Sequence, residues 1–137
     1  MPATRGDYVG ELPRLVRTCL ALGDRGLAAS LIDGVHPVYP RADHALASSH
    51  AQLAEAEGNH DEAARLYADA ANRWRAFGNV PEHAYALLGQ GRSLQALGDS
   101  AAEAALAEAR ELFVAIGYRA ALAETDALLA ESQSAAS

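Results

Sequence analysis

Apolar residues in the middle of the chain recur at every third or fourth position. Ala63, Leu66, Tyr67, Ala70, Trp74 and Phe77 form one such stripe. That spacing is one face of a 3.6-residue helix, not the alternation of a strand. On the same stretch Asp61, Arg65, Asp69 and Arg73 step by four. Each stands within reach of an opposite charge one turn away, as on a solvated outer face. The stripe then returns. Aligned on the closing glycines Gly78 and Gly117, Tyr67 falls on Leu106, Ala70 on Ala109, Trp74 on Phe113 and Phe77 on Ile116, each 39 residues on. A fixed period of this size with glycine punctuation is the signature of stacked helical hairpins.

Turn residues place the elements. A first helix is expected over about 10–22, with Pro13 in its first turn, where a missing N–H costs little, and Gly23 at its end. Asp24 can cap a shorter helix over Leu27, Leu31 and Ile32, closed by Gly34. Residues 35–39 contain Pro37 and read as the one irregular loop. Pro40 opens a long helix to about Glu57. Asn59 with Glu62, and Ser100 with Glu103, have capping-box spacing and start helices that end at Gly78 and Gly117. Asn79, Pro81 and Glu82 start the helix between them, which ends at Gly98. A last helix covers about 119–131, where Glu124, Asp126 and Glu131 supply a polar outer side. The expected fold is all-α, a solenoid of about seven antiparallel helices in a right-handed superhelix. It is a single domain over 1–131, with hairpins at about 10–34, 40–78 and 79–117 and a polar tail at 132–137. Residues 1–6 read as frayed.

Composition agrees. The 137 residues suffice for one continuous core. Half are hydrophobic but only 6% are aromatic, so the apolar content is mostly Ala and Leu, strong helix formers. The net charge is −7, and the eleven basic residues, all Arg, are scattered among eighteen acids. Nucleic acid and anionic membranes call for clustered positive charge, so neither is expected as a partner. No stretch approaches the ~20 apolar residues of a membrane span, and the first residues lack a signal core. Cys19 is the single cysteine. It has no internal disulfide partner, and among Leu15, Val16 and Leu20 it reads as a buried structural thiol. A cytoplasmic location is expected. The use of Arg in place of Lys, with abundant Ala and Gly, points to a GC-rich bacterial genome.

Candidate chemistry is sparse. The histidines are His36, His44, His50, His60 and His83. A zinc site on one helix wants two His at i, i+4, whereas His44 and His50 are six apart and face different ways. His60 lies beside Asp61 and Glu62 at a helix start, where the dipole favours acids. The pairs Glu55/Glu57 and Asp61/Glu62 fall at an interhelix turn, not in the enclosed pocket that would raise a carboxyl pKa for catalysis. The chain has no G-x-S-x-G elbow, and without lysine it has no G-x-x-x-x-G-K-[ST] phosphate loop. Gly89 and Gly91 lie in mid-helix, where a small residue permits close helix approach. No catalytic residue, metal ligand or cofactor site is therefore expected, and the chain does not read as an enzyme.

Ala51, Gly58, Ala63, Tyr67 and Ala70, and then Gly91, Gly98, Leu106 and Ala109, resemble the tetratricopeptide repeat. The period of 39 to 40 exceeds that family's usual 34 and resembles its longer-helix variant. Residues 39–130 are similar to the C-terminal helical repeats of actinobacterial multidomain regulators, which combine a signalling ATPase with a cyclase or DNA-binding domain. The carrying segments are YPRADHALASSHAQLAEAEGNHDEAARLYADAANRWRAFG, PEHAYALLGQGRSLQALGD and ALAETDALLAE. The resemblance implies a protein–protein interaction or scaffold module that binds a protein or peptide. The alternative is a detached C-terminal fragment of such a regulator with no activity of its own. In such repeats the first helix of each hairpin lines a concave groove. Counting from the turn glycines carries those positions to Arg17, then Ser48, Gln52 and Glu55, then Tyr85, Arg92 and Gln95. At the N-terminal hairpin, Leu12, Leu15, Val16, Cys19 and Leu20 span more than one face. Exposed apolar surface, with self-association or partner docking through residues 8–32, is expected there.

Overall fold

The computed structural model describes residues 11–35 and 40–136. Among these it contains seven α-helices and no strand: α1 (Leu12–Ala21), α2 (Arg25–Asp33), α3 (Pro40–Ala56), α4 (His60–Phe77), α5 (Val80–Ala96), α6 (Ala102–Ile116) and α7 (Arg119–Ala136). The frayed start, and all of the irregular loop except Val35, lie outside the described residues.

Local chemistry sets most of the boundaries. Pro13 sits in the first turn of α1. The Leu27 amide donates to Asp24 Oδ1 at 2.9 Å, capping α2, and the Glu82 amide donates to Asn79 Oδ1 at 3.0 Å, capping α5. Helices α4 and α6 end at Gly78 and Gly117 with φ of 89° and 73°. Only glycine enters that left-handed region without steric cost.

Three boundaries differ from expectation. Asn59 is the N-cap of α4, but its side chain caps nothing, so no capping box forms there. Ser100 does not cap α6 either. The Ala101 amide donates to Asp99 Oδ1 at 2.9 Å and the Ala102 amide to Asp99 O at 3.1 Å. An aspartate turn thus takes up these amides before the serine can. Finally, α7 continues to Ala136, absorbing most of the stretch expected as a tail. Gln95 Nε2 on α5 donates to Leu128 O and Ser132 Oγ, both at 2.9 Å, which ties this extension down.

Each helix packs on its successor, and α1 also touches α3, α3 touches α5 and α5 touches α7. The odd-numbered helices therefore form a continuous row. Trp74 and Phe113, 39 residues apart, are both buried. Trp74 Nε1 donates to Ser48 Oγ on α3 at 2.8 Å. The helices approach closely at two glycines of α5. A Cβ on Gly89 would lie 2.3 Å from the Tyr67 ring of α4, and one on Gly91 would lie 2.5 Å from Leu106 Cγ of α6. Both glycines are thus required by packing.

On the outer face of α4, Arg73 pairs with Asp69 at 2.8 Å, whereas Arg65 pairs with Glu62 and not with Asp61. The N-terminal hairpin departs further from expectation. Leu12 and Val16 are fully buried and Cys19 is nearly so, because α1 packs against both α2 and α3. Among the described residues of that hairpin, the large apolar side chains left exposed are Leu22 (79%) and Leu27 (49%), with Ala21 exposed beside Leu22, and not the broad apolar side expected. Among the described residues no helix is long and apolar enough to cross a membrane.

Candidate functional site

The row of odd helices is hollowed by a cleft of about 520 Å³. Six of the seven groove residues line it: Arg17 from α1, Ser48, Gln52 and Glu55 from α3, and Tyr85 and Arg92 from α5. Steps of three, four and seven residues keep each set on one helix face. Gln95 is not among them. It borders a neighbouring hollow of about 390 Å³ with Glu131 and Ser132, and its amide is already bonded to α7. The apolar walls of the main cleft include Leu20, Ala21, Ala56 and Leu88.

Two arginines organise the polar part. Arg17 Nη1 and Nη2 fork onto Glu82 at 3.0 and 2.9 Å, and its guanidinium carbon lies 4.0 Å from the centre of the Tyr85 ring. Burial pushes the Tyr85 phenol up from its ordinary pKa, and the Arg17 charge opposes that. This contact straps α1 to α5 across the intervening α3. Arg92 reaches in both directions along the row. Its Nε and Nη2 donate to Glu55 of α3 at 2.5 and 2.6 Å, and its Nη1 donates to Glu124 of α7 at 2.8 Å. Burial disfavours the Arg92 charge, but the Glu55 hydrogen bonds and charge prevail, so its pKa stays above the ordinary value. Tyr67 OH completes the cluster, donating to Glu55 Oε1 at 2.7 Å. Burial, reinforced by the Glu55 charge, pushes this phenol far above its ordinary value. The phenol therefore remains a donor at any physiological pH.

Two of the groove residues serve the fold directly. Ser48 and Gln52 are only 4% and 7% exposed. Ser48 accepts from Trp74, and Gln52 Nε2 donates to Pro13 O at 3.1 Å. Sequence reasoning missed Tyr67, Glu82 and Glu124 as members of this site. Tyr67 belongs to the apolar stripe, Glu82 looked like a helix starter, and Glu124 looked like part of a polar outer side. In the structure Glu124 turns inward to Arg92 and Asp126 pairs with Arg110 of α6 at 2.6 Å. No signal in single-sequence spacing distinguishes these two acids from Glu131.

Among the described residues no group of three or more His, Cys, Asp or Glu side chains is placed to hold a metal ion. His44 packs edge-on against Trp74 and Phe77 with ring centres 5.5 and 5.3 Å away. His83 Nε2 lies 3.6 Å from Glu108 on α6, His60 lines the cleft, and His36 falls outside the described residues. The cleft's guanidiniums and carboxylates are bound to one another. In comparisons with known proteins the chain matches no family model, no curated protein and no solved structure.

Proposed function

We propose that this chain is a protein–protein interaction module of tetratricopeptide type, a solenoid of helical hairpins whose odd helices line a peptide-accepting groove. The observation that carries the reading is the main cleft. Six positions chosen by counting along the repeat converge on one concave site with apolar walls and charged edges. Concave, mostly apolar sites with a few fixed polar groups are where ligands bind, and Arg and Tyr are frequent anchors at interfaces.

Filling the cleft tests the reading. Ala21 and Ala56 line it and are exposed, so Ala21→Trp and Ala56→Trp add bulk without opening the core. Peptides selected on the wild-type protein from a displayed random library should bind either variant at least about tenfold more weakly, as expected when a central pocket is occluded. A selection that yields no peptide, or peptides that bind the filled variants undiminished, refutes it.

A further inference from the structure

We propose that the main cleft takes a partner segment that presents a cationic side chain, Arg or Lys, beside aliphatic residues. This rests on the peptide-binding reading and specifies the partner's chemistry. The charge arrangement carries it. Neither guanidinium of the cleft lacks a carboxylate: Arg17 is forked on Glu82, and Arg92 is forked on Glu55 and bonded to Glu124 as well. Counting histidine as neutral, the two guanidiniums are held by three carboxylates, of which Glu55 and Glu124 line the cleft itself and Glu82 neutralises Arg17 from outside its lining.

An incoming carboxylate would have to strip a guanidinium from its partner. Glu55 and Glu82 are each only 17% exposed along the side chain, and stranding such an acid without its cation is strongly unfavourable. An incoming cation needs no such exchange. Glu124 holds the surplus negative charge. Its side chain is 49% exposed, and only its Oε2 is engaged, by Arg92 Nη1. A guanidinium or ammonium can bond to the other carboxylate oxygen from solvent, while its methylene stem lies along the apolar wall that Leu20 and Ala56 contribute.

The test uses the intact protein and two pools of acetylated, amidated peptides with identical degenerate aliphatic positions. One pool carries fixed arginines and the other fixed glutamates. Affinities are read by fluorescence anisotropy at pH 8 and about 50 mM salt, where charge contacts are weakly screened. The arginine pool should bind at least about tenfold more tightly than the glutamate pool, the scale of one charge-assisted contact. Glu124→Gln should weaken it about fivefold and Glu124→Lys by more, with circular dichroism unchanged, and Ala56→Trp should abolish it. Equal binding of the pools, or preference for glutamate, with sensitivity to Ala56→Trp, would leave the peptide-binding reading standing and overturn the charge inference. Arginine-pool binding that ignores both Ala56→Trp and Glu124→Lys would reflect only the net charge of −7 and would overturn it too. Binding of neither pool overturns the inference and, where the random-library selection also yields no peptide, the reading with it.

Discussion

The packing of α4 on α5 can be tested at a single methyl group. In an unobstructed helix interior, Gly→Ala stabilises by about 1 kcal/mol. At Gly89 the sign should reverse. The added Cβ would sit 2.3 Å from Cε1 and Cζ of Tyr67 and 2.7 Å from Cδ1. Ordinary carbon contacts lie near 3.5–4.0 Å, so the ring must retreat by more than about 1 Å. Tyr67 has little room to do so, because it is 3% exposed and held by its hydrogen bond to Glu55. Overpacking of this kind costs about 1–3 kcal/mol, and losing a hydrogen bond to a charged group adds about 1.5–3. Against the propensity gain, Gly89→Ala should destabilise by about 1.5–5 kcal/mol, a large share of the 5–15 kcal/mol typical of a domain. Urea unfolding followed by far-ultraviolet circular dichroism reads this directly, with the slope confirming that the midpoint shift is a stability change. In a Tyr67→Ala background the obstruction is gone, and Gly89→Ala should become neutral or stabilising. That gives a coupling energy of about 2 kcal/mol or more between two contacting sites. A Gly89→Ala protein as stable as the wild type would refute the close α4–α5 approach.

Two further outcomes follow from buried side chains. Trp74→Ala should cost about 3–5 kcal/mol from lost packing, plus about 1 for the stranded Ser48 hydroxyl. Thermal melting should show a clear drop, while Val114→Ala on the exposed face of α6 (Val114 is 52% exposed) should melt like the wild type. Burial holds the His83 pKa below its ordinary 6.5, with Glu108 opposing and Arg75 reinforcing. The unfolded chain therefore takes up the proton first as pH falls. The stability tied to His83 is complete above about pH 6.5 and declines on acidification. Melting temperatures between pH 7.5 and 5 should fall more steeply for the wild type than for His83→Gln, and identical slopes would count against a buried, neutral His83.

What the sequence made legible was set by which residue contacts are local. The glycine period and the three-four stripe are short-range patterns, and they located seven helices to within a few residues, including the cap at Asp24 and the helix start at Asn79. The two expected capping boxes failed because an S/T/N-x-x-E spacing only permits a cap. Whether it forms depends on turn geometry, and at α6 the neighbouring Asp99 offered a competing acceptor one residue earlier. The end of α7 was misplaced for a long-range reason. Ser132 looked like tail by composition, yet Gln95 on another helix holds it in register. The N-terminal hairpin erred similarly, since counting faces on α1 alone could not show that α2 and α3 cover it from two sides.

The candidate cleft follows the same division. Repeat counting picked six residues of α1, α3 and α5 that line the cleft, but none on α7, and it could not find the partners that these residues bond. Those partners come from 12 to 65 residues away, as in Tyr67–Glu55 and Arg17–Glu82. This has a consequence for how the site can be probed. Ser48, Gln52, Glu55 and Arg92 all hold one helix to another. Truncating any of them leaves a buried partner unsatisfied, at about 1–3 kcal/mol or more, so lost binding in such a variant would not separate recognition from stability. Ala21, Ala56 and Glu124 differ. The two alanines have no side-chain partner to strand, and Glu124 is half in solvent. Changes at these three positions alter the shape and charge of the cleft while leaving the Arg17 strap and the Glu55–Arg92 fork in place. They are therefore the positions at which binding can be tested apart from the fold.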